Sequence, residues 1–72
     1  MTFSTALNLI KKKERLARSG WNGKNQWVEL CNMTKISDKY APYLILKNAQ
    51  DVYVPWVPSQ GDLFADDWVV VE

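Results

Sequence analysis

A chain of 72 residues with one cysteine and no histidine lacks most of the devices that hold other small domains together. Cys31 has no second thiol in the chain to bridge to, and the missing imidazole removes both the commonest zinc ligand and the commonest general base. A domain of this size buries only about 60% of the surface its unfolded chain exposes, so a small apolar core must be supplemented by something else. Four tryptophans supply large, rigid contact area of the kind interfaces favour, and self-association is therefore the expected source of added stability. Hydrophobic residues at 47% and charged residues at 24% are close to globular averages, which places the chain among folded modules rather than disordered ones. The expectation is a single domain over residues 1–72. No stretch resembles an export signal, and no apolar run approaches the ~18 residues of a membrane helix, so a cytoplasmic protein is expected.

The net charge of +1 argues against a histone-like coat for nucleic acid, but the charge is unevenly placed. Residues 1–24 carry six bases and one acid, while residues 25–72 carry three bases and seven acids. One positive and one negative surface would suit an anionic ligand or docking against another copy. Lys11, Lys12 and Lys13 are better explained as a solvated helix end, cations in the last turn offsetting the helix dipole.

Phe3, Ala6, Leu7 and Ile10 recur at helical spacing, with Thr2 or Ser4 as N-cap, and predict a helix over about residues 4–12. Residues 15–19 break that period and read as a short strand or extended link ending at Gly20. Asn22-Gly23 signals a turn, and residues 26–32 alternate as a half-buried strand. A polar loop is expected over 33–42. Residues 43–47 and 52–56 form a predicted hairpin joined by Asn48–Asp51, with Pro55 placing its second strand at an edge. Ser59 and Asp62 have the spacing of a capping box for a short helical turn, and Trp68–Val71 reads as a closing strand. The fold class is α+β, one N-terminal helix on a small antiparallel sheet with a helical turn before the last strand.

Three groups of residues together resemble a known family. They are Phe3 and Ala6-Leu7 ahead of Ala17-Arg18 and Gly20-Trp21-Asn22-Gly23-Lys24; Pro42-Tyr43 with Lys47; and Val54-Pro55-Trp56 followed by Ser59-Gln60, Asp62-Leu63 and Asp67-Trp68. In their order and spacing they are similar to the small phage and bacterial family that includes the second type of anti-Thoeris protein. The resemblance implies dimers that pair into tetramers. It also implies sequestration of glycocyclic ADP-ribose made by TIR-domain enzymes, with cyclic dinucleotides held by some members. No cofactor is implied.

The residues themselves offer the parts such a sponge requires. Trp21 and Trp27 flank a polar turn and could stack on a base, although Trp27 on an alternating strand is equally well explained as core. Asn22, Gly23 and Lys24 could present backbone N–H groups and an ammonium to phosphate, or form an ordinary hairpin turn. Ser59 and Asp62 could contact ligand or serve only as a cap, whereas the Gln60 amide suits a base edge or ribose. Arg18 could grip a diphosphate or pair with Asp66 or Asp67. Trp56, Trp68, Phe64, Leu63 and Phe3 are expected in the core or an interface, and Cys31 as a buried apolar residue. With no His and no obvious carboxylate pair, neither catalysis nor a metal site is expected. The alternative function is a small single-stranded nucleic-acid-binding or protein-interaction module of phage origin.

Overall fold

The computed structural model describes residues 1–21, 24–31 and 41–72. The turn expected at Asn22-Gly23, and the polar loop as far as residue 40, lie outside the described residues.

Helix α1 (Phe3–Lys11) begins one residue earlier than the apolar spacing suggested, because Thr2 is the N-cap and its hydroxyl accepts from the Thr5 N–H at 3.4 Å. It ends in a Schellman arrangement, in which Lys13 N–H donates to Ile10 C=O at 2.9 Å and Glu14 N–H to Leu9 C=O at 3.1 Å. That arrangement demands a left-handed residue, and Lys13 takes the position with φ 72°. Five strands follow: β1 (Arg15–Arg18), β2 (Trp27–Cys31), β3 (Tyr43–Lys47), β4 (Tyr53–Pro55) and β5 (Trp68–Val71), with the short helix α2 (Gln60–Phe64) before β5. They form one antiparallel sheet in the order β4-β3-β2-β1-β5. Pro55 ends β4 at one edge of this sheet, the position at which a residue without an N–H costs least.

The hairpin between β3 and β4 is closed by Asn48. Its Oδ1 accepts from the N–H groups of Gln50 and Val52, each at 3.0 Å, while Asp51 adopts φ 64°. α2 lets the chain cross from β4 at one edge to β5 at the other, where residues 15–18 pair with residues 71–68 in register. Of the two readings of residues 15–19, short strand or extended link, the strand is the one observed: β1 lies between β2 and β5 and is paired on both sides.

The core lies between α1 and one face of the sheet. Phe3, Ala6 and Ile10 from α1 meet Leu16, Val28 and Trp68, with Leu30, Leu44, Leu46, Trp21 and Trp56 packed around them. Trp68 has no exposed surface, its ring centre lies 5.3 Å from that of Phe3, and its indole N–H donates to the Asp62 carbonyl at 3.0 Å. Two residues expected in a core or interface lie at the surface of the described chain: Phe64 is 84% exposed and Leu63 38%, because α2 turns its cap side, not these two residues, toward the sheet. Cys31, expected to be buried, is half-buried on the opposite face of the sheet beside Tyr43, where α1 offers it no cover.

Lys13 is exposed and in the left-handed region, so Lys13→Gly should relieve backbone strain without removing a packed side chain. The expected outcome is a stabilisation of about 0.5–1 kcal/mol, read from the urea midpoint at unchanged slope.

Candidate ligand-binding site

The start of α2 organises the first cluster. Ser59 Oγ accepts from the Asp62 N–H at 3.1 Å, and Asp62 Oδ2 accepts from the Ser59 N–H at 3.0 Å, a complete capping box. The other carboxylate oxygen of Asp62 accepts from Arg18 Nη1 at 2.9 Å. Arg18 Nε donates to Asp67 Oδ1 at 2.8 Å, and Asp67 Oδ2 accepts from the Gly20 N–H at 3.0 Å. A Cβ on Gly20 would stand 2.8 Å from that same carboxylate oxygen, so a larger residue here would push Asp67 out of its present position. One guanidinium therefore ties the end of β1 to α2 and to the residue before β5, and Asp67 sets the path of the chain into Trp21.

Trp21 lands on the other indoles. Its ring centre is 5.5 Å from Trp68 and 6.2 Å from Trp56, and Trp56 is 6.0 Å from Trp68, all three pairs edge to face. Trp68 is wholly enclosed, whereas Trp21 and Trp56 are half-buried and keep part of their surface open. Gln60, at the first position of α2, is exposed and takes no part in the cap. The fold thus gathers Arg18, Trp21, Ser59, Gln60 and Asp62 on one side of the molecule, although more than 40 positions separate the first from the last.

Trp27 is elsewhere. Strand alternation and its pairing with Lys47 place it on the face of the sheet away from α1. Its ring has Lys47 Nζ at 4.4 Å and the Arg15 guanidinium carbon at 4.7 Å, and its indole N–H donates to Glu29 Oε2 at 2.6 Å. Lys47 is itself buried, with Nζ donating to the Asn25 carbonyl at 2.8 Å and paired with Asp51 at 2.6 Å. Lys24 is exposed three residues after Trp21, and Asn22 and Gly23 lie outside the described residues. The two tryptophans that flank the polar turn in sequence therefore serve different surfaces. Trp56, expected in the core or an interface, does pack against the core cluster, and there it lies beside Trp21. The usable signal was alternation, since Val54 and Trp56 share the side of the hairpin that Leu44 and Leu46 present to the core.

The whole described chain up to residue 71 takes part in one further match. A family model for the Tad2-like domain, described as Thoeris anti-defense 2-like, matches residues 1–71. The chain belongs to the Thoeris anti-defense 2-like family. It is also 31% identical over 84 aligned positions to Thoeris anti-defense 2 of Bacillus phage SP01, an alignment covering 99% of this chain and 94% of that protein. An anti-defence role follows for this Tad2-like chain at the level of the family. Among the described residues no helix is long and apolar enough to cross a membrane, and no group of three or more His, Cys, Asp or Glu is gathered to hold a metal ion.

The electrostatics of this Tad2-like cluster are set by Arg18. Its guanidinium is the main reason that the Asp67 carboxyl is held below the usual range, with the Gly20 N–H adding to it. At Asp62 burial works against the charge, but the Ser59 backbone N–H, the guanidinium, the Ser59 hydroxyl and the Trp21 indole together outweigh it and lower that pKa too. Asp67 first and Asp62 second raise the pKa of Arg18 in return. Because both carboxyls are lowered in the folded state, the unfolded chain binds more protons between the two sets of values, so stability rises with pH there. The stabilisation is complete above the ordinary carboxyl value of about 3.8 and is lost as pH falls through the lowered ones. Arg18→Gln should flatten this acid limb of stability, as measured by thermal unfolding from pH 6 down to about pH 2.

Proposed function

We propose that this protein binds a cyclic nucleotide immune signal of the glycocyclic ADP-ribose class, with cyclic dinucleotides as a second ligand class, and sequesters it without degrading it. The observation that carries the reading is the half-buried pair Trp21 and Trp56, seated edge to face on the enclosed Trp68, with the exposed Gln60 opening α2 next to the cap that Arg18 joins. Two indoles that cannot collapse further into the core offer a preorganised platform for a base, which limits the ordering cost of binding. The Gln60 amide, left free by the cap, both donates and accepts and suits a ribose or a base edge.

Arg18, Asp62 and Asp67 together carry one net negative charge, so this cluster does not by itself draw a pyrophosphate. We assign the anion to Lys24 and to its sequence neighbours Asn22 and Gly23, directly after Trp21, and give Arg18 the role of orienting the platform. The two hydrogen bonds to Asp62 and Asp67 use two of the five guanidinium N–H groups, and the remainder can still face a ligand. Ser59 and Asp62 act through the cap rather than through direct contact, and Trp27 could contribute only from the opposite face of the sheet. The sponge acts as a homodimer or homotetramer in the host cytoplasm, since stoichiometric capture requires tight binding and a small exposed site gains from burial between copies.

Calorimetry against glycocyclic ADP-ribose isomers, cyclic dinucleotides and short single-stranded DNA tests this reading. A cyclic nucleotide should bind and be recovered chemically intact after heating the complex; conversion to a linear product would establish an enzyme, and binding of DNA alone with steep salt dependence would establish a nucleic-acid module. Trp21→Ala should weaken ligand binding by about 5- to 150-fold, corresponding to the loss of ~1–3 kcal/mol of stacking. Gln60→Ala should cost several-fold, about 0.5–1.5 kcal/mol, with little change in melting temperature. Ser59→Ala should do the reverse, lowering stability by about 0.5–2 kcal/mol while the folded protein keeps its affinity.

A further inference from the structure

Among the described residues Lys47 is the lysine that the fold buries, with 6% of its surface exposed. It ends β3 directly opposite Trp27, the first residue of β2, on the face of the sheet away from α1. Three neighbours receive its ammonium. The Trp27 ring centre lies 4.4 Å from Nζ, the Asn25 carbonyl accepts from it at 2.8 Å, and Asp51 Oδ1 pairs with it at 2.6 Å. An ammonium leaves water at a heavy cost unless its charge and its N–H groups are matched, and these neighbours match them.

Two of the three contacts do not call for a lysine. A hydrocarbon of the same length would also cover Trp27, and the Arg15 guanidinium carbon already lies 4.7 Å from that ring. The Asp51 side chain is 80% exposed and solvated without a partner, and the turn that carries it is closed by Asn48. What only a donor at this place can do is hold the Asn25 carbonyl. Asn25 lies in a bend two residues before β2 and adopts φ 60°. One peptide bond before it stands Lys24, which is exposed. Trp21 is fixed by the indoles on the α1 side and Asn25 by Lys47 from the other side, so Lys24 stands beside the second of two anchors.

We propose that Lys47 is a positioning residue of the ligand site: from the helix-free face of the sheet it clamps the Asn25 carbonyl and so holds Lys24 ready for the anionic group of the ligand. The proposal rests on the assignment of the anion to Lys24 made above, and it adds the residue that orders Lys24. Lys47 itself touches no ligand. Its charge is balanced by Asp51, and its effect passes through the main chain from Asn25 to Lys24. Ordering that segment before the ligand arrives removes part of the cost of binding.

The test is a double-mutant cycle between Lys24 and Lys47, read by calorimetry with a glycocyclic ADP-ribose isomer and a cyclic dinucleotide as probes. Lys47→Met keeps a stem against Trp27 and loses the ammonium. In the unmodified chain Lys24→Ala should weaken binding by about 10-fold, the loss of a charge-assisted hydrogen bond. In the Lys47→Met background the same change should cost less than about 3-fold, because Lys24 is no longer held. A lysine that served stability alone would leave the cost of Lys24→Ala equal in both backgrounds. Without ligand, Lys47→Met should lower the backbone order parameters of Lys24 and Asn25 and leave those of β2 unchanged. Equal costs in the two backgrounds, or unchanged order at Lys24 and Asn25, overturn the proposal. If Lys47→Met does not fold, Asp51→Ala at its exposed position takes its place. An ammonium deprived of its counter-charge leaves Asn25 for water, so the cost of Lys24→Ala should again shrink, and an undiminished cost overturns the proposal. An unmodified chain that binds neither probe rejects the sequestering reading and this proposal with it. Binding that Lys24→Ala leaves unchanged rejects the anion assignment and this proposal but not sequestration, and binding that needs Lys24 without coupling to Lys47 rejects this proposal alone.

Discussion

Arg18 lies between Asp62 and Asp67, and most of the structure around the tryptophan cluster depends on that arrangement. Pulling one carboxylate from α2 and another from the approach to β5 onto a β1 guanidinium fixes three segments that are far apart in the chain. The pairs are partly buried, so their net contribution to stability is modest, but removing Arg18 alone would leave two neighbouring carboxylates without their common partner. The geometric consequence matters more. With Asp67 held in place, its second oxygen takes the Gly20 N–H and directs the chain into Trp21; with Asp62 held, its carbonyl takes the Trp68 indole. Two of the three tryptophans that meet in the aromatic cluster, Trp21 and Trp68, are thereby positioned by the same pair of acids.

This explains how a small domain with no internal disulfide can keep indole surface partly open. Aromatic rings left at a surface tend to fold down onto the nearest apolar neighbour. Here Trp21 and Trp56 already contact Trp68 edge-on, and Trp68 fills the core, so the outer rings have nowhere further to move. The same core, built on one face of a single sheet, leaves the other face carrying Ile45, Val69, Val71 and two tyrosines around the Trp27 stack.

On the sequestering function proposed above, affinity is what the site must supply, and ordering the indoles before a ligand arrives lowers the cost of binding. The acid-sensitive clamp, the enclosed Trp68 and the paired indoles are all means to that ordering, and none of them calls for a nucleophile or a base.

Helix, strands and hairpin were legible in the sequence because they follow from local rules. The 3.6-residue spacing of Phe3, Ala6 and Ile10, the alternation through Val28 and the Ser59–Asp62 spacing each depend on residues only a few positions apart. Membership of the family was legible for a related reason, since it rests on the order of short motifs along the chain. The sharing of Asp62 between a cap and an ion pair was not, because a cap is a local device whereas the Arg18 that completes the cluster comes from 44 positions away. Nor could the sequence show that Trp21 and Trp27, six residues apart, end on opposite faces of the sheet, or that Trp56 would replace Trp27 as the partner of Trp21. Facing is set by strand register and by the crossover through α2 that lays β5 against β1. Both are outcomes of which apolar face the whole chain buries. The residue types in the sequence determined which chemistry was available; only the tertiary structure, by choosing one face of the sheet for the core, decided which of those residues meet.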